Sequence, residues 1–168
     1  ASRSAGCRYA REKQQQIESL KARLSESNDA NLPAGRSLFV KHCQTCHRLY
    51  GEGEKIGPDL TGGNRSNLDY LLSNIVDPSG VVDKGFRMSL LLIDDGRILS
   101  GLVIDESDRT ITMQTATEKL TIDKDSVQSR KVTEKSPMPD GLLDTLSDEQ
   151  IRDLIGYLRH PSQVEIQD

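Results

Sequence analysis

Two thiols three positions apart with an imidazole directly behind them, Cys43-Gln44-Thr45-Cys46-His47, are the residues of this chain best spaced to do chemistry. Within one helical turn the two sulfurs can reach the two vinyl groups along one edge of a porphyrin, while the adjacent ring turns beneath the iron. The pattern therefore implies one covalently attached haem c, with His47 as first axial ligand of its iron. Half of a zinc site and a redox dithiol are the competing readings. Zinc needs four ligands, and Cys7, His42 and His160 supply no second ligand pair. A dithiol oxidoreductase carries CxxC after a strand in a βαβ unit. Here the motif follows an apparent helix.

A thioether on the opposite face would make the iron low-spin and raise its potential, which suits electron transfer. Met138 meets that need in Ser136-Pro137-Met138-Pro139-Asp140-Gly141, where flanking prolines stiffen the loop and limit what the ligand loses on ordering. Met88 and Met113 are rivals, but each alternates with apolar neighbours in a predicted strand, which suits a core role. Lys135 is a weaker alternative. His42 directly precedes Cys43 and cannot reach the opposite haem face, and His160 sits at a helix end.

The elements that must position these groups follow from periodicity. Residues 1–8 are small and polar, and could be a linker or a frayed end. From Tyr9 to about Ser27 helix formers dominate, with Ile17, Leu20 and Leu24 on a thin apolar stripe, so a solvated helix is expected. After Pro33, Gly35, Phe39 and His42/Cys43 recur at helical spacing up to the cysteines. Residues 48–65, rich in Gly, read as loop. Ser66 with Asp69 signals a cap for the helix carrying Leu68, Leu71, Leu72, Ile75 and Val76, stopped by Asp77-Pro78. From Phe86 to about Val132 the period is two: Phe86, Met88, Leu90, Leu92, the Asp95-Gly96 turn, then Ile98, Ser100, Leu102 and Ile104. Short alternating runs follow at 111–113, 119–122 and around Val127, giving a small antiparallel β module of about five strands. Helical period returns after Ser147 and Gln150, a capping box, with Leu146 and Ile151 as staple and Ile151, Leu154, Ile155 and Leu158 as core face. His160-Pro161 ends it.

At 168 residues the chain accommodates one domain, or one domain with a smaller module. Aromatics are 4% with no Trp, so a purely side-chain core is lean and a buried cofactor would help fill it. A net charge of -4 argues against an electrostatic grip on nucleic acid or anionic lipid. No stretch approaches the roughly 20 apolar residues of a membrane span, and no signal peptide opens the chain. Covalent haem attachment takes place outside the cytoplasm, so a periplasmic or otherwise exported parent, with its targeting segment missing from this chain, is expected. Cys7 in Ser-Ala-Gly-Cys faintly resembles a lipoprotein acylation site, but no apolar region precedes it and a free thiol is the better reading.

Gly35-x-x-x-Phe39 ahead of the motif and Ile56-Gly57-Pro58-Asp59-Leu60 after it, in that order, resemble class I cytochromes c. The stretch from Ala34 to about His160 is similar more closely to the haem-binding domain at the C-terminus of large planctomycete and verrucomicrobial proteins that often carry dehydrogenase-like propellers. That resemblance is carried by CQTCH, IGPDLTG, IVDPSGVVDKGF, DDGRILSGLV and SPMPDGLLDTLSDEQIRDLIGYL. It implies a mainly α cytochrome c fold with an inserted small antiparallel β module and an N-terminal helix. The segments are then 1–30 as linker and helix, 31–85 with 133–162 as haem domain, 86–132 as β module, and 163–168 as tail. Setting 86–132 aside shortens the His47 to Met138 separation to one that suits a compact haem fold.

The resemblance further implies that the Pro58 carbonyl accepts a hydrogen bond from His47, and that Gly35 and Phe39 pair with Leu154 and Tyr157. It implies pocket walls from Leu60, Leu68, Leu72 and Ile75, while Arg65 and Tyr70 are candidate donors to the haem propionates. The expected function is single-electron transfer with a redox partner protein or an upstream dehydrogenase domain, not an enzymatic reaction of its own. A gas-binding or sensor haem with a labile Met138, and a haem-stabilised interaction module using residues 86–132, are the alternatives. Peroxidase-like catalysis is more distant, because no distal His and Arg pair is visible.

Overall fold

The computed structural model describes residues 2–26 and 29–166, so the helix end expected near Ser27 and the last two residues of the expected tail lie outside it. Those residues form two compact units, Ala1–Asp77 with Asp140–Asp168, and Pro78–Pro139.

The first unit is helical. Helix α1 (Ser2–Ser25) is more than the solvated helix its thin stripe suggests, because Ile17 and Leu20 are only 5% and 3% exposed. It packs on α3 (Leu68–Val76). Burying two such side chains stabilises the pairing by roughly 1.5–3 kcal/mol each. Polar contacts flank that seam: Lys21 Nζ lies 2.6 Å from Asp69, Gln16 donates to Asp144 at 3.0 Å, and Arg23 pairs with Asp148. Being exposed, these contribute far less than the apolar pair.

Helix α2 (Leu32–His42) starts at Asn31, whose side chain accepts from Ala34 N, with Pro33 in the first turn, where its missing N–H costs nothing. Helix α3 begins one residue later than the Ser66 cap signal implies. Asn67 is the cap and accepts from Tyr70 N at 3.0 Å, while Asp69 sits in the first turn, where its charge suits the helix dipole. Helix α4 (Asp148–Arg159) has both halves of the Ser147/Gln150 capping box in place.

Helices α2 and α4 cross at Gly35. A Cβ there would stand 2.0 Å from the Asp153 carbonyl oxygen and 2.8 Å from Tyr157 Cβ, so only glycine lets the backbones approach this closely. Buried Asp153 adds a lock by accepting from Asn31 N at 2.8 Å. Phe39 and Tyr157 pack with ring centroids 5.8 Å apart.

The second unit is a five-stranded antiparallel sheet of β1 (Ser89–Ile93), β2 (Ile98–Glu106), β3 (Thr110–Gln114), β4 (Lys119–Asp123) and β5 (Val127–Val132), in the order β4-β3-β2-β1-β5. Asp94 to Gly96 turn β1 into β2, with Gly96 at φ 84°. Its core is Leu91, Ile93, Ile111, Met113 and Ile122, with Leu99 and Val103 against it. The facing of β1 and the start of β2 is therefore opposite to the alternation expected. Leu91 and Ile93 point inward, and Ile98 is 68% exposed. The run Ser-Leu-Leu-Leu-Ile is apolar at nearly every position and specifies no face by itself, so cross-strand pairing such as Leu91 with Leu99 decides it. Met88 lies just before β1 and exchanges backbone bonds with Thr133 and Lys135, while Ser79 Oγ accepts from Ser136 N. Residues 78–88 and 133–136 are thereby tied to the sheet.

Two outcomes follow from this packing. Gly35→Ala gains about 1 kcal/mol of helix propensity but overpacks a backbone carbonyl, so a net loss of about 2 kcal/mol or more is expected from denaturant midpoints. Gly62→Ala, with no atom within 4 Å of the new carbon, should leave those midpoints unchanged. In the sheet, hydrogen bonds from Lys124 and Arg130 lower the Glu106 carboxyl from its ordinary 4.5 to about 2. A depressed folded value means its stabilisation is complete above pH 4.5 and lost as pH falls towards 2. Sheet-amide hydrogen exchange should accelerate over that window in the natural chain and less so in Glu106→Gln.

Candidate functional site

The segment Cys43 to His47 continues α2 by a further turn. Cys43 and Gln44 N–H both donate to Phe39 O, and Cys46 and His47 N–H both donate to Cys43 O, at 3.1 and 2.9 Å. Side chains three apart on such a turn share a face. Both cysteines are free, Cys43 half-buried and Cys46 exposed. Burial, reinforced by neighbouring Cys46, pushes the Cys43 thiol up to about 12, and burial also raises Cys46.

The loop after His47 folds back on this turn. Ile56 and Gly57 N–H donate to Cys46 O, at 3.1 and 2.7 Å, Glu54 N–H to Gln44 O, and Leu60 N–H to Arg48 O. Gly53, at φ 99°, brings the chain so close that a Cβ would lie 2.2 Å from His47 O. Gly57 lies flat on the imidazole, where a Cβ would stand 2.7 Å from Cε1 and 2.9 Å from Nδ1. The next carbonyl, Pro58 O, is 3.0 Å from His47 Nδ1. A carbonyl only accepts, so Nδ1 carries the proton and Nε2 presents its lone pair. Nε2 has no hydrogen bond among the described residues.

The remaining candidates fall into three groups. Leu72 and Ile75 are buried on α3, while Leu60 and Leu68 are half-buried and Tyr70 is 49% exposed. Arg65 is buried, and its Nη groups serve protein acceptors: Leu158 O at 2.5 Å, His160 O and Tyr50 Oη at 3.0 Å, and Thr61 O at 3.3 Å. A cation on the last carbonyls of α4 complements the helix dipole. Its Nε is buried and has no partner among the described residues. Met138 belongs to the second unit, half-buried, its N–H donating to Ser136 Oγ at 3.1 Å. Of its rivals, Met113 is wholly buried in the sheet core.

Sequence reasoning missed Tyr50. This residue takes a positive φ of 52°, receives Arg65, donates to His160 O, and stands edge-on to Tyr157 at 6.3 Å. The Tyr-Gly-Glu-Gly run was its only trace.

Residues 32–85, which hold α2, the cysteines, the loop and α3, match the family model described as Cytochrome c. The match supports a c-type cytochrome. Such a domain carries covalently bound haem c with its iron. No curated protein matches the chain. The residues present fit that group: paired thiols on one turn, an imidazole whose Nε2 is presented, a glycine-only slot beside it, and an orphaned buried Arg65 Nε. Among the described residues no group of three or more His, Cys, Asp or Glu is gathered to hold a metal ion. Nor is any of their helices long and apolar enough to cross a membrane.

Gly57→Val places branched carbon where the ring lies and should break the Nδ1–H bond to Pro58. Nitrogen NMR of the haem-free chain should then show His47 moving from the Nδ1–H tautomer towards the Nε2–H form. An unchanged tautomer would remove the loop's claim to orient the ring.

Proposed function

We propose that this chain is a monohaem c-type cytochrome that passes single electrons, with His47 and Met138 as axial ligands. The observation that carries the reading is the His47 ring, held by Pro58 O at Nδ1, faced by Gly57, and left with Nε2 to bind a metal. Bound haem c supplies an iron that gains and loses one electron. Cys43 and Cys46 would hold it by thioethers, and the Pro58 carbonyl, bonded to Nδ1, orients the His47 ring and raises the basicity of Nε2. A ring so restrained moves little between oxidation states, which keeps the reorganisation on transfer small.

Met138 is favoured over Met113, which the sheet consumes, and over Met88, whose own backbone N–H and C=O are bonded to Lys135 and Thr133 beside the sheet. Leu60, Leu68, Leu72 and Ile75 are the apolar wall, Arg65 Nε and Tyr70 the donors toward propionates. Residues 31–85 with 133–162 are proposed as haem domain of cytochrome c fold, interrupted by residues 86–132, with 1–30 a leading helix. The order of the signatures from CQTCH to IRDLIGYL supports a place in the planctomycete and verrucomicrobial group, hence export and a dehydrogenase domain or partner as electron donor. Transfer of this kind uses a small, transient interface.

An absorption spectrum of the oxidised, haem-loaded chain should contain the methionine-to-iron charge-transfer band. Met138→Ala should abolish it and lower the midpoint potential by on the order of 100 mV or more. Persistence of the band in that variant would overturn the ligand assignment, and rapid, complete carbon monoxide binding by the reduced natural chain would favour a sensor instead.

A further inference from the structure

Lys13 lies on α1, outside the matched segment, and takes no part in the chemistry above. Its ammonium donates to Val76 O at 2.8 Å and to Asp140 Oδ1 at 3.3 Å, with 14% of the side chain exposed. Tyr9, one turn earlier on the same face, donates to the same Asp140 oxygen at 3.2 Å and sets its ring 5.3 Å from the ammonium.

The two acceptors are far apart in sequence, and their positions matter. Val76 closes α3, and the first unit breaks off after Asp77; Asp140 is where it resumes. One ammonium, on a partly buried side chain, thus bonds both to Val76, just before the excursion from 78 to 139, and to Asp140, the first residue after it. The two oxygens replace part of the water that the charge gives up. Asp140 also stands two residues beyond Met138, next to Gly141 at φ 72°, a residue suited to act as a pivot.

We propose that Lys13, seconded by Tyr9, is a positioning residue for the second axial ligand: by pinning Asp140 to Val76, α1 restricts how far the Met138 loop can swing. This rests on the assignment of Met138 in the preceding subsection. Without the pin the loop would pivot at Gly141 and Met138 would be held less firmly, leaving bound haem c more open to an outside ligand.

Imidazole binding to the oxidised, haem-loaded full chain is the test, followed by stopped-flow absorbance. Lys13→Met and Asp140→Asn should each bind imidazole about tenfold faster, the size expected on losing one charge-assisted hydrogen bond. The charge-transfer band should still be present before imidazole is added. Lys21→Met, which removes the α1 pair to Asp69, should bind at the natural rate. A second readout needs no haem: in the haem-free chain Lys13→Met should speed hydrogen exchange at residues 140–143 while leaving α2 and α4 amides unchanged. Natural imidazole kinetics in both variants, or exchange speeded equally everywhere, overturns the pin. If instead Met138→Ala keeps the band, the ligand assignment fails, and that failure is seen without any Lys13 variant.

Discussion

The hydrogen bond from His47 Nδ1 to the Pro58 carbonyl is the constraint on which the rest of the first unit depends. An imidazole can present a lone pair to a metal at only one nitrogen when the other is protonated, and an acceptor at that other nitrogen fixes which one it is. A backbone carbonyl meets that demand, provided the chain delivers it to the ring edge. The loop from Arg48 to Leu60 is organised for this delivery. Cys46 O receives two N–H groups from 56 and 57, so the carbonyl following them is aimed by the same turn that carries the thiols. Gly53 and Gly57 are the places where a side chain would push that loop away. Proline at 58 then fixes its own φ, adding stiffness where the acceptor is offered.

The loop needs an anchor that does not move, and the crossing of α2 and α4 supplies one. Gly35 lets the helices touch through backbone, Asp153 ties the start of α2, and Phe39 with Tyr157 fills the angle between them. Arg65 then joins the far end of the loop to the last carbonyls of α4, with Tyr50 between. A buried guanidinium is costly when unpaired, so this residue is in the first place structural. Only Nε is left over, which narrows any contact with a propionate to one donor.

How far these features were legible depended on whether chemistry or packing decided them. The role of IGPDL followed from its resemblance to class I cytochromes c, whereas CQTCH could be read because its spacing is imposed by local geometry. The capping box of α4 was legible for the same reason, and so was the number of strands, since turns and short apolar runs are local signals. The strand facing was not: in Ser-Leu-Leu-Leu-Ile either parity is apolar, and the register belongs to the partner strands. The cap of α3 was missed by one residue because Ser66 and Asn67 are both able caps, and geometry alone chooses between them. Helix α1 looked solvated because its stripe is thin; Ile17 and Leu20 are buried because α1 packs on elements far along the chain, α3 among them. Arg65 was legible as a candidate donor to a propionate but not as a clasp on α4, since nothing near it in sequence announces carbonyls at 158 and 160.

The thiols carry the last discrimination between haem attachment and the other uses of a CxxC pair. A redox dithiol or a zinc ligand works as thiolate, and proteins that use one lower its pKa with a helix N-terminus or a nearby cation. Cys43 is at the opposite kind of place, just past the C-terminal end of α2, where the dipole disfavours negative charge, and burial pushes its thiol up to about 12. As a dithiol nucleophile it would be almost entirely protonated near neutral pH. Addition to a vinyl group is less demanding: the S–H and C=C bonds are replaced by S–C and C–H, no oxidant is consumed, and the product is an uncharged thioether content in an apolar setting. A half-buried cysteine that is a poor thiolate is thus poorly suited to exchange, and well suited to becoming a permanent, neutral tether.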